Sequence, residues 1–250
     1  VVVSDAAVTI TNTPTIAELN AIAAKTTGVV TATLAANSLA NLGALTTAGT
    51  DVITITVNDT GGSTLTASDL STLGGKTAGV VTLNNAVIVQ GSDDEIRAAL
   101  VTESTKVVAG ASNTQASIIG TVSVQAGADF NSINNVSAIF TEISDNISNL
   151  TNGTGTEASA NLLDVVGSDP DVDITISDND GTAITAVELK SVGGATLGTV
   201  TVTNAVAITG TTADMTAALV TAGTLVEVSD AAVTITNTPT IAELNAIAAK

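Results

Sequence analysis

The chain contains no cysteine, histidine, tryptophan or tyrosine. Without cysteine there can be no disulfide framework and no thiolate metal site. Without histidine the commonest general base is missing. Phe130 and Phe140 are the only aromatics, too few for the stacking platform that sugar-cleaving grooves or base-binding surfaces use. Proline occurs three times, and no Gly/Ser-rich stretch suggests a flexible linker. The cations are Lys25, Lys76, Arg97, Lys106, Lys190 and Lys250, scattered among 24 acidic residues for a net charge of −18. That balance gives no patch to neutralise phosphates, so nucleic acid and anionic lipid are excluded as expected partners. No run of 18 or more apolar residues is present, so no membrane-spanning helix is expected.

What is present is Val, Ile, Leu, Ala and Thr, making a chain that is 44% hydrophobic. Small and β-branched side chains suit layers stacked at fixed spacing and favour strands. The dominant feature is repetition. Residues 3–25, VSDAAVTITNTPTIAELNAIAAK, recur identically at 228–250, an offset of 225. Residues 64–102 match 183–221 at an offset of 119, with Leu70/Leu189, Gly74/Gly193, Gly79/Gly198, Asn85/Asn204 and Leu100/Leu219 in register. Helix-like segments are expected around Leu19, Leu39, Leu70, Ile96, Ile118, Ile133, Leu162, Leu189, Met215 and Leu244, each too short to be stable alone. Strand-like runs lie between them at 29–34, 52–57, 172–176 and 199–202.

Strand, turn and short helix at about 25 residues per turn of chain predict a repeat protein, a parallel α/β or β-solenoid. The alternative is a row of tandem β-rich domains. One long repeat is expected over 1–225, with sub-units near 1–50, 51–105, 106–170 and 171–225, and residues 226–250 begin the next. Residues 106–160 follow the period least well. The start at Val1-Val2-Val3, without an initiator methionine, and the end at Lys250, inside a copy, suggest a piece of a longer array.

Reaction chemistry is poorly provided for. No Gly-x-Ser-x-Gly elbow or Ser-x-x-Lys nucleophile occurs, and the glycine pairs Gly74-Gly75 and Gly193-Gly194 follow helices, where they act as stops. Ser92-Asp93-Asp94-Glu95 reads as an N-cap followed by a dipole-matched first turn. The best candidate site is acidic: Asp171 and Asp173, with Asp178 and Asp180 in Asp178-Asn179-Asp180-Gly181, carry the oxygen ligands and tight turn that Ca²⁺ sites use. Asn58-Asp59 is the corresponding, poorer turn. No other cofactor is expected.

Together, the acidity, absent cysteine, Thr/Val/Ala-rich strands and long identical repeats such as 3–25 and 228–250 resemble the repeat regions of giant bacterial surface proteins. These include cyanobacterial proteins and type I-secreted adhesins. The Gly-Gly-x-Gly-x-Asp ladder of many such proteins is absent. The resemblance implies an extracellular or cell-surface structural protein, a filament, fibre or adhesin stalk without enzymatic activity. Its partners would be further copies of its own array and a host surface or matrix. A ligand-binding adhesin module and a phage or virion fibre are the alternatives.

Overall fold

A computed structural model describes residues 4–250; the first three residues, Val3 of the first long copy among them, lie outside the described residues. The chain is an α/β fold of parallel sheets and short helices. It divides into two compact units. Unit 1 takes the residues up to Ile118 with Ser132–Ser137, and unit 2 takes Ile119–Asn131 with Ala138–Lys250. The division falls inside the expected 106–170 sub-unit.

Unit 1 opens with β1 (Val8–Thr9), α1 (Ile16–Ala23), β2 (Val30–Thr33) and α2 (Leu39–Leu42). It continues through β3 (Val52–Val57), β4 (Thr64–Thr66), α3 (Ala67–Gly74), β5 (Val81–Leu83), β6 (Ile88–Gly91), α4 (Asp93–Leu100), β7 (Val107–Ala109) and the start of β8 (Thr114–Val122). One parallel ladder runs β1-β2-β3-β5-β7, in which Val8 faces Val30, Thr31 faces Val52, Ile55 faces Val81 and Val81 faces Val107. A second runs β4-β6-β8. Apolar and polar residues alternate along β3, so Ile53, Ile55 and Val57 are buried while Val52 and Thr54 are exposed, as a strand covered on one face requires. Leu65, Leu70, Leu73, Val89 and Ile96 complete this core, and α3 packs on α4.

Unit 2 contains α5 (Val124–Asn131), most of β9 (Val136–Asp145), α6 (Ile147–Leu150), α7 (Ala160–Ser168) and β10 (Asp173–Ile176). After these come β11 (Ala183–Thr185), α8 (Ala186–Gly193), β12 (Val200–Val202), β13 (Ala207–Gly210), α9 (Thr212–Leu219), β14 (Val226–Val228), β15 (Ala232–Ile235) and α10 (Ile241–Ala248). Its parallel ladders are β9-β10-β12-β14 and β11-β13-β15. From β4 to β7 and from β11 to β14 the elements begin 119 residues apart, so the matching sequences fold alike.

Two expected helical segments are corrected. Ile118 lies in β8, where Thr114, Ala116 and Ile118 alternate inward; the β-branched pair Ile118-Ile119 favours a strand. Ile133 follows α5 in a turn that reaches Asn135 at φ 63. The region also carries extra chain: Glu142 pairs with Asp173, 31 residues on, whereas Thr31 pairs with Val52, 21 residues on. The surplus forms a turn closed by a Thr151–Ala158 bridge.

The two identical copies have the same local structure. Each is a short strand followed by an eight-residue helix with a capping box, Thr15/Glu18 on α1 and Thr240/Glu243 on α10. The hydroxyl accepts from the glutamate's amide, and the glutamate accepts from the threonine's amide. Ser92 and Glu95 form the same box on α4, as their spacing predicts.

Candidate functional site

The acidic and amide side chains do their work at helix starts. A helix leaves its first N–H groups without partners. Here the first helical amide is repeatedly capped by an Asx side chain from a later segment of the chain. Leu39 N donates to Asp59 Oδ2 at 2.7 Å, Val124 N to Asp145 Oδ2 at 3.1 Å, Ile147 N to Asp178 Oδ2 at 2.6 Å and Thr212 N to Asn237 Oδ1 at 2.7 Å. The capping residue follows by 20 to 31 positions. Each bond therefore ties one strand–helix segment to the next and places negative charge at the positive end of a helix dipole. Sequence reasoning saw Asp59 and Asp178 as turns that resemble calcium loops and missed this role. The signal was an Asx about one segment after each helix start.

A second tie is made by threonine. In Thr-x-Gly at 26–28, 77–79 and 196–198, the hydroxyl accepts from the glycine amide. It also donates to a carbonyl of the preceding segment, that of Ala6, Ile53 or Val172. Thr77 is buried and goes further, accepting from Ile53 N at 2.8 Å as well. It thereby satisfies a strand amide that has no ladder partner. A Cβ on Gly79 would lie 2.3 Å from the Ile53 carbonyl oxygen, and on Gly198 2.4 Å from that of Val172. Only glycine allows the backbones to approach so closely.

The four calcium candidates are not brought together. Asp173 Oδ1 accepts from Thr199 N at 2.7 Å, Asp178 Oδ2 from Ile147 N and Asp180 Oδ1 from Ala205 N at 2.9 Å, while Asp171 is exposed. Each of the first three carboxylates serves a different backbone amide. Among the described residues no group of three or more acidic, histidine or cysteine side chains could hold a metal ion. The donor set does not fit a single cation.

Other polar groups are similarly occupied. Buried Asp51 accepts from Val30 N and Ala48 N. Lys76 Nζ donates to the carbonyl of Gly43, the residue that caps the C-terminus of α2, where a cation opposes the helix dipole. A cleft of about 440 Å³ in unit 1 is lined by Asp59, Asp69, Thr72 and Lys76, and two of these are already engaged in the bonds just described. Among the described residues no buried side-chain nitrogen or oxygen lacks a partner. Burial pushes the Asp169 carboxyl above its ordinary value; its bond from Phe140 N pulls it down, and the nearby Asp171 pushes it up again. Glu18 is held below the usual range by its bonds from the Thr15 amide and hydroxyl, and Glu243 by those from the Thr240 hydroxyl and amide.

No helix among the described residues is long and apolar enough to cross a membrane. No protein-family model, curated protein or solved structure matches the chain.

Proposed function

We propose that this chain is a structural, non-enzymatic segment of an extracellular tandem-repeat protein, a surface filament or adhesin stalk whose task is to extend. Its segments stack in one direction as a parallel solenoid, each burying its apolar face on the one before. The observation that carries this reading is the recurrence, 225 residues apart, of one sequence with one local structure, β1–α1 and β15–α10. The inter-segment Asx and threonine ties support it, because bonds to the neighbouring segment are what a one-dimensional array requires. The high negative charge supports it too, by keeping such polymers soluble and apart. Surface or extracellular location is the reading that the resemblance to giant bacterial surface proteins favours.

Electron microscopy of native material tests the proposal. With each stacked segment advancing about 4.8 Å, filaments should show an axial repeat on the order of 40 Å per 225 residues. Isolated compact particles would refute it.

A further inference from the structure

The identical segments 4–25 and 229–250 stand in two different surroundings, and each supplies what the other lacks. In the first copy β1 is bonded on the side of the chain that follows: Val8 N donates to Val29 O and Ile10 N to Thr31 O, both at 2.9 Å. In the second copy β15 is bonded on the side of the chain that precedes. There Ala232 N donates to Val206 O and Thr236 N to Gly210 O, also at 2.9 Å. Val8 and Ile10 correspond to Val233 and Ile235, whereas Ala232 and Thr236 correspond to Ala7 and Thr11. Successive amides of a strand point to opposite edges, so the two copies use opposite edges of one strand. The edge that carries Val233 and Ile235 is unpaired among the described strands.

The side chains divide in the same way. Leu19 is 0% exposed and its twin Leu244 is 47% exposed, while Ile241, twin of the half-buried Ile16, is 82% exposed. On the opposite side the order reverses: Ile247 is buried and its twin Ile22 only half-buried. Asn20 bridges the following segment, donating from Nδ2 to Ala44 O and accepting from Thr46 N, both at 2.9 Å. Asn245 makes neither bond. Thr26 and Thr27 hydroxyls donate to the Ala6 and Ser4 carbonyls, whose counterparts are Ala231 and Ser229. At this end a groove of about 450 Å³ lies beside Val226, Ser229, Ala249 and Lys250.

We infer that the outer edge of β15 and the exposed face of α10 form a docking surface for a second copy of residues 26–46, supplied by another copy of this repeat. The register is fixed: Val233 faces the incoming Val30 and Thr234 the incoming Thr31, as Val8 and Thr9 do within unit 1. Leu244 becomes buried, and Asn245 takes the incoming Ala44 carbonyl and Thr46 amide. The incoming Gly28 presses on the Ala231 carbonyl, as Gly28 does on Ala6, where a Cβ would lie at 2.4 Å. This inference rests on the serial stacking proposed above and adds the partner and its register.

The test extends the full chain after Lys250 with a second copy of residues 26–50 and follows amide hydrogen exchange. Val233 and Ile235 should slow by at least about tenfold relative to the 250-residue chain, while Ala232 and Thr234, already on the β13 side, change little. Gly28→Val in the added copy alone should abolish the protection; a folding failure of the parent is not at issue, because the parent does not contain the change. Unchanged exchange of Val233 and Ile235, or protection that survives the glycine replacement, overturns the inference. So does concentration-dependent protection of the unextended chain that extension does not alter, which would make an intact second chain the occupant. Protection of these amides together with an absence of native filaments would instead refute only the filament reading.

Discussion

The duplicated segment permits a comparison that ordinary mutagenesis cannot make. Leu19→Ala and Leu244→Ala remove the same side chain from the same eight-residue helix, IAELNAIA, behind the same capping box. Helix propensity, capping and the local unfolded chain are therefore matched. What differs is burial, 0% against 47% exposure. Truncating a fully buried leucine costs its transfer energy plus a cavity, about 3 kcal/mol. For a leucine already half in water, with no closed cavity to leave, about 1 kcal/mol is expected. The twin difference should thus be about 2 kcal/mol. Urea unfolding followed by circular dichroism measures it, with amide exchange assigning each loss to the unit that opens. In the chain extended with residues 26–50, the Leu244 loss should rise towards that of Leu19. Equal losses in the unextended chain would show that surroundings do not distinguish the copies, and would remove the basis for a docking surface at α10.

Replacing Thr77 by Val keeps the volume but leaves the Ile53 and Gly79 amides without their acceptor, at a cost of roughly 2–4 kcal/mol in thermal or urea unfolding. Thr196→Val removes one such acceptor bond and should cost about half as much; a loss at Thr196 equal to that at Thr77 would contradict the bonding described. Asp169 has its folded value raised above the ordinary 3.8, so the native state holds the proton more tightly than the unfolded chain, and stability falls as pH rises from 3.8 through the raised value. Asp169→Asn, whose amide oxygen can still accept from Phe140 N, should be more stable than the parent at neutral pH by a few tenths of a kcal/mol after solvent screening. The advantage should vanish in acid below pH 3.8. Glu18 and Glu243 act in the opposite sense: their values are lowered from 4.5, so their contribution is present above that pH and is lost as pH falls through the lowered value. An advantage of Asp169→Asn that persists in acid would refute the assignment.

Much of the architecture was legible because it is written in periodicities. The alternation in 52–57 and the match of 64–102 with 183–221 gave strands and equivalent elements, and Ser92 with Glu95 gave a helix start. The reading failed where two patterns compete over one short stretch. Ile118 has apolar neighbours at helical spacing, but β8 takes it, because Thr114, Ala116 and Ile118 also fall on one face of a strand. Short strands such as β4 and β11, three residues each, carry too few positions for a pattern and take their conformation from their neighbours. The candidate site failed for a different reason. Asp178-Asn179-Asp180-Gly181 does contain oxygen ligands and a positive-φ glycine, Gly181 at φ 75. Whether those oxygens converge depends on what lies one segment away, and a linear sequence does not display the Ile147 amide that Asp178 meets.

The acidity can now be assigned a physical use beyond solubility. A helix of four to nine residues has nearly as many unsatisfied amides at its start as bonds within it, so a chain built of short helices and short strands needs many acceptors. Carboxylates and Asx amides on the following segment provide them at Asp51, Asp59, Asp145, Asp178 and Asn237. Acceptors placed on the neighbour rather than on the helix itself make each segment's completion depend on the next. Cations would not serve, because lysine and arginine only donate, and this accounts for six of them among 24 acids. The excess negative charge and the dependence of each segment on its successor therefore have one cause. It is the same cause that leaves Leu244, Asn245 and the outer edge of β15 incomplete until another copy of residues 26–46 arrives.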